Sequence, residues 1–260
     1  MKKLVVFMLL LFIAVAFAGC TNVSNNVKLN QARMHGNATH GNAQGGAMMG
    51  NGQGAMMRKG QKGIMVKNGS VSVHTMWNEV MGIKAGNLTP QEIKDILYMR
   101  QEEKLAHDVY ITLYNKWHLQ IFKNIANSEQ THMDAVKMLI EKYNLTDPDK
   151  GKGIGEFENP NFTKLYRELV AEGNKSVLDA LKVGALIEEL DIVDLQHCLN
   201  NTNKSDIKIV FENLMKGSRN HLRAFVSNME RMGYTYKPKY LSEEEFKQII
   251  SSGTERGPAK

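Results

Sequence analysis

Four stretches of the chain repeat apolar residues every three or four positions, and nothing between them alternates with the period of two that a strand needs. The first runs from Thr89 to about Trp117 on Ile93, Ile96, Tyr110 and Trp117. The second runs from about Leu119 to Tyr143 on Ile121, Ile125, Val136, Leu139 and Ile140. The third starts at Ser176 and carries Leu181, Ala185, Ile192, Leu195 and Leu199. The fourth, Ser205 to Met232, carries Ile207, Val210, Leu214, Phe225 and Met229. Long helices with one apolar stripe each bury those stripes against one another, so the fold class is all-α. Thr89-Pro90-Gln91-Glu92 reads as a helix start, with a capping Thr, a Pro at the first helical position and a Glu at the third. Ser176 and Ser205 read as caps and Gly233 as a stop. The links after the first and third helices are short, which predicts antiparallel hairpins. Asn144 to Lys175 is a long link holding a short helix around Phe162 to Val170. Two hairpins joined by a long crossover between helices 2 and 3 make an antiparallel four-helix bundle. A short C-terminal helix, capped by Ser242 with Glu245, packs outside it.

Ionisable residues interrupt these stripes. Glu103 lies seven residues from both Ile96 and Tyr110, so it points where they point. Glu129 and His132 stand one turn apart on the second helix. Glu188 lies midway between Leu181 and Leu195, with Asp191 a turn further on. His221 is seven after Leu214 and one turn before Phe225. Left unpaired, such groups cost several kcal/mol each to bury. A pair of divalent cations held by carboxylates and imidazoles removes that cost, and the ligand set suits iron or manganese.

The stretches Glu103-Lys-Leu-Ala106-His-Asp-Val-Tyr110, Ser128-Glu129-Gln-Thr-His132, Ile187-Glu-Glu-Leu-Asp-Ile192 and Ser218-Arg-Asn-His221-Leu-Arg-Ala-Phe225 resemble the ferritin-like di-iron carboxylate superfamily. The resemblance is closest to its DUF2202 branch and covers roughly Thr89 to Ile250. It implies a ferritin-like fold in which Glu103 and His132 hold one metal, Glu188 and His221 hold a second, and Glu129 bridges. Two iron ions, or manganese, are the implied cofactors, and redox chemistry with dioxygen or peroxide the implied activity. Ser218 stands where that superfamily has a second bridging Glu. Asp191 is the candidate to supply the missing carboxylate; the other outcome is a weak or empty second position. A non-enzymatic surface metal-binding or interaction module is the alternative function.

Neighbouring residues compete for these roles. Glu102 competes with Glu103, but the spacing to Ala106 and Tyr110 favours Glu103. Glu189, beside Lys182 and Gln196, is expected near solvent. His107 and His118 read as surface or supporting residues, and His197 as a cation near a helix end. Arg219 and Arg223 either bind carboxylates or face solvent. Tyr110 either packs or bonds a ligand. Cys198 reads as a small buried hydrophobe. With no clear His partner for that thiol in the sequence, no P-loop, no dinucleotide fingerprint and no HExxH, other familiar chemistries find little support.

The first 70 residues differ from the rest. Lys2 and Lys3 precede the apolar run Leu4 to Phe17, of signal-peptide length, which ends Ala18-Gly19-Cys20. Residues 1–20 are expected to be a signal peptide with a lipobox-like cleavage site, the mature chain being exported and lipid-anchored to the membrane through Cys20. Residues 21–70, rich in Gly, Asn, Gln and Met, are expected to be a disordered tether. Its His35, His40 and Met34, Met48, Met49, Met56, Met57 and Met65 suit Cu(I) as ligands, while low-complexity drift explains the same letters. Residues 71–260 are expected to form the ferritin-like, DUF2202-type four-helix domain that the resemblance implies. Other expected partners are a second copy of the chain and an external electron donor. The net charge of +6 is scattered rather than massed, and no nucleic-acid motif accompanies it, so no nucleic-acid partner is expected. Nine N-x-S/T sequons begin at Asn22, Asn37, Asn68, Asn87, Asn144, Asn161, Asn174, Asn200 and Asn203. Chance gives about two at this composition.

Overall fold

A computed structural model describes residues 66–67, 70–71 and 73–257. The expected signal peptide, Cys20, nearly all of the tether and the sequons at Asn22, Asn37 and Asn68 lie outside the described residues. Among the described residues the regular structure is helical apart from a short antiparallel ladder, β1 (Val66–Lys67) with β2 (Ser70–Val71), in which Val66 pairs with Val71. Seven described helices follow: α1 (Val73–Gly82), α2 (Pro90–Trp117), α3 (Gln120–Lys142), α4 (Pro160–Gly173), α5 (Val177–Asn200), α6 (Ser205–Arg231) and α7 (Glu243–Ser251).

The helix starts follow their capping chemistry. Thr89 Oγ1 accepts the Glu92 N–H at 3.1 Å, and Glu92 Oε2 accepts the Thr89 N–H at 2.8 Å. Ser176 accepts from Asp179 N–H, and Ser242 from Glu245 N–H. Ser205 departs from expectation: Lys204 takes the cap position of α6 with no side-chain bond, and Ser205 is the first helical residue. α2 ends at His118, whose φ of 53° turns the chain left-handed, and two residues later α3 begins.

Side-chain partners give the helix directions. Arg100 bonds Met133 O, while Tyr110, further along α2, meets Phe122, earlier on α3, so these helices run antiparallel. Asp191 with Ser218, and Gly184 against Phe225, do the same for α5 and α6. Tyr98 bonds Asp194 and Tyr110 bonds Gly184 O, so α2 is also antiparallel to α5. Phe122 meets Phe225 and His132 meets Gly217, so α3 is antiparallel to α6. α3 and α5 therefore run the same way, and the link between them has to travel the length of the helices. α4 lies in that link and packs on α2 and α5. α1 packs on α3 and α6, and α7 on α6. α1 was not read from the sequence.

The link is fastened by charge. Arg100 Nε and Nη2 reach Asp147 at 3.1 and 3.2 Å, and Arg100 Nε also lies 3.4 Å from Asp149. Burial pushes the Asp149 carboxyl up to about 7, against the pull of Arg100. An acid whose folded pKa is raised binds its proton better in the folded chain. Its presence therefore lowers stability as pH climbs from its ordinary 3.8 towards 7. Asp149→Asn is expected to gain thermal stability at pH 8 and none at pH 4, measured by calorimetry across that range.

The interior falls into two apolar clusters. One joins Leu105, Val109, Tyr110, Phe122, Ile187, Leu222 and Phe225; the other joins Ile96, Met99, Val136, Leu139, Leu195, Val210 and Leu214. On α2, α3 and α6 the passage from one cluster to the other crosses buried polar residues, Glu103 on α2, Glu129 and His132 on α3 and His221 on α6 among them. On α5, by contrast, Glu188 lies within the span of the first cluster, between Ile187 and Ile192. Cys198 is buried in the second cluster, as expected of a small hydrophobe.

Candidate metal centre

All six sequence-predicted ligands are buried, none more than 5 % exposed. Five of them converge. Glu103, Glu129 and His132 form one group able to hold a cation, and Glu129, Glu188 and His221 form another. Glu129 belongs to both: its Oε2 lies 2.7 Å from His132 Nδ1, and its Oε1 lies 2.8 Å from His221 Nδ1. Glu103 Oε2 is 3.1 Å from His132 Nδ1, and Glu188 Oε2 is 3.4 Å from His221 Nδ1. The two imidazoles stack with centroids 5.5 Å apart. Asp191 stands outside both groups. Its Oδ2 accepts from the hydroxyl of Ser218, at the position whose missing carboxylate Asp191 was expected to supply, and its Oδ1 has no hydrogen-bond partner.

The donor set fits a cation better than it fits ordinary hydrogen bonding. Ligand atoms about 2.1 Å from a common ion lie roughly 3 Å from one another, the spacing of the four acid–imidazole pairs here, and all the donor atoms of each group lie within 4.8 Å of one another. Glu129 Oε1 and His221 Nδ1 are 2.8 Å apart, yet neither makes a hydrogen bond, so their lone pairs and N–H are not aimed at each other. Glu103 Oε1 is also without a partner. Buried polar atoms in proteins are satisfied almost without exception, and a cluster of orphans implies a missing partner.

The acids and imidazoles perturb one another strongly. Burial pushes Glu103 up to about 7, with His132 pulling it back. Burial raises Glu188, and it raises Asp191 well above the carboxylate range with Glu103 and Glu188 adding to it. For Glu129 burial works upward too, but His221 and His132 overcome it and hold the carboxyl below its ordinary value. Burial would depress both imidazoles, yet Glu103 and Glu129 raise His132, and Glu129 and Glu188 lift His221 to about 10. In this arrangement the imidazoles, protonated, are the nearest positive charges to the acids.

Supporting contacts fix the side chains. Ser128 Oγ lies 2.9 Å from His221 Nε2, leaving Nδ1 to face the carboxylates. Tyr110, fully buried, donates to Glu188 Oε1 at 2.6 Å, so it both packs and orients that carboxylate. Gly217 makes room for His132: a Cβ there would sit 2.4 Å from Nε2. Ser128 was legible only as part of the ExxH stretch, and nothing in the sequence marked Gly217. Glu102 is buried on the neighbouring face, raised by burial and by Asp194 and Asp191. His107 contacts Asp108, while His118 and His197 are exposed. Arg219 and Arg223 bind Glu255.

Glu189 corrects the sequence reading. It is fully buried rather than near solvent, and it accepts from Tyr236 OH at 2.6 Å and from the N–H groups of Lys239, Tyr240 and Leu241 at 2.8 to 3.0 Å. The segment after α6 supplies those donors. Lys182 and Gln196, its neighbours on α5, carry no information about that distant segment.

Residues 92–253 match the model of an uncharacterised protein domain, DUF2202. The chain is 62% identical over 170 residues to "Uncharacterized protein MJ0754" of Methanocaldococcus jannaschii, covering 65% of this chain and 92% of that one. It is similar as well to the crystal structure of hypothetical protein MJ0754 from the same organism, with a TM-score of 0.66 and 60% identity over 66% of this chain and 99% of that chain. The match spans more than half the sequence and takes in every residue of the two ligand groups: the chain belongs to the DUF2202 family.

Proposed function

We propose that this chain is a ferritin-like four-helix bundle, exported and lipid-anchored at the cell surface, whose centre holds two iron or manganese ions. One observation carries the reading: a single buried carboxylate, Glu129, stands between two imidazoles, each flanked by one further acid. Glu103 and His132 would hold one ion, Glu188 and His221 the other, and Glu129 both. Held there, iron or manganese would supply electrons for reduction of dioxygen or peroxide. The chain's own part is positional. Tyr110 and Ser128 hold Glu188 and His221 in place, and the two apolar clusters keep bulk water from the ligands.

A second reading draws on Ser218. Its hydroxyl engages Asp191 and Leu214 O, so no carboxylate from α6 completes the second group. A surface module that binds one ion without redox turnover is consistent with that. Anaerobic loading of the purified chain with Fe(II), quantified by elemental analysis and followed by oxygen or peroxide, separates the two. Two bound equivalents and an absorbance change on adding oxidant support the dinuclear centre. One equivalent with no change supports the binding module, and no bound metal overturns both.

A further inference from the structure

The excess of sequons is untouched by the metal reading, and the structure sorts them. Six have described asparagines, at 87, 144, 161, 174, 200 and 203, and all six are exposed. Several have local reasons of their own. Thr89 and Ser176 cap helices, which accounts for the sequons at Asn87 and Asn174. Thr202 is buried and donates to Glu92 Oε1 at 2.6 Å, which accounts for Asn200. Asn161-Phe162-Thr163 lies within the first turn of α4, with Phe162 buried. Asn144-Leu145-Thr146 and Asn203-Lys204-Ser205 remain. In both, the asparagine and the hydroxyl residue are exposed. Asn144 has a φ of 51° just past α3, a conformation asparagine tolerates, but that leaves Thr146 without a structural reason. Both sequons sit at one end of the long helices: Tyr143, next to Asn144, bonds Asp206, next to Ser205, at 2.6 Å.

We propose that Asn144 and Asn203 are N-glycosylation sites, which together place saccharide on that end of the protein. This rests on the export reading, because the transfer takes place outside the cytoplasm, and it is independent of the metal centre. The side-chain amide nitrogen forms a bond to the anomeric carbon of a lipid-phosphate-linked oligosaccharide. The carbon–oxygen bond to the phosphate breaks, the lipid phosphate leaves, and the amide gives up one proton. No electrons are exchanged.

The test is glycopeptide mapping and intact mass of the protein isolated from the cells that make it. Peptides containing Asn144 and Asn203 are expected to carry saccharide. Thr146→Ala should remove the first increment and Asn203→Gln the second, with the melting temperature of the deglycosylated protein unchanged because both positions are exposed. Unmodified Asn144 and Asn203 in a chain whose leader has been removed overturn the proposal while leaving export intact. Unmodified sites in a chain that retains its leader overturn both. Saccharide confined to Asn87, Asn174 or Asn200 overturns the assignment of sites.

Discussion

Glu129→Ala is expected, on the dinuclear reading, to strip the centre of metal, from two equivalents, one for each group of candidate ligands, to background by elemental analysis. No other side chain belongs to both groups. The same change should destabilise the metal-free protein by about 3–5 kcal/mol, because it leaves two buried imidazoles without the carboxylate they share. Glu129→Gln keeps the volume and removes the charge, so it should lose metal to the same degree while costing less stability. Glu129→Ala with His132→Ala sharpens the test. If the double variant kept the metal content of the parent, the ligands would have to be sought elsewhere.

The second large effect turns on the sign of a small change. Gly217 lies inside α6, where Ala is ordinarily better than Gly by about 1 kcal/mol. Here the added Cβ would sit 2.4 Å from Nε2 and 2.6 Å from Cε1 of His132. That ring is fully buried and fixed on its other side by Glu103 and Glu129, so it cannot swing away without leaving them. The clash outweighs the propensity, and Gly217→Ala should destabilise by roughly 1–3 kcal/mol. Bound metal should fall by about half, since Glu129, Glu188 and His221 do not touch the added methyl. A variant more stable than the parent, with metal unchanged, would show that the position of His132 does not matter.

Much of the helical plan was legible because it rests on local chemistry. Thr89 with Glu92, Ser176 with Asp179 and Ser242 with Glu245 are pairs three residues apart, and a sequence displays them directly. The convergence of Glu103, Glu129, His132, Glu188 and His221 was legible because a charge on an apolar stripe conflicts with its neighbours. Glu189 escaped because it too lies on α5, but its partners lie about fifty residues away in the chain after α6. Gly217 escaped because a glycine's purpose is the space it leaves, and only His132 reveals what uses that space. Ser205 looked like a cap by composition, yet the helix begins one residue earlier in phase, with Lys204 at the boundary. Asp191 showed its burial but not its engagement with Ser218, which needed the register of α5 against α6.

The parallel course of α3 and α5 has a consequence for how the centre comes together. Glu103, Glu129 and His132 all belong to the hairpin α2–α3, so that trio is complete once the first half of the domain has formed. Glu188 and His221 belong to the later hairpin and need Glu129 from the earlier one. An ion at the first position would knit a single hairpin, whereas one at the second would act as a clasp between the halves.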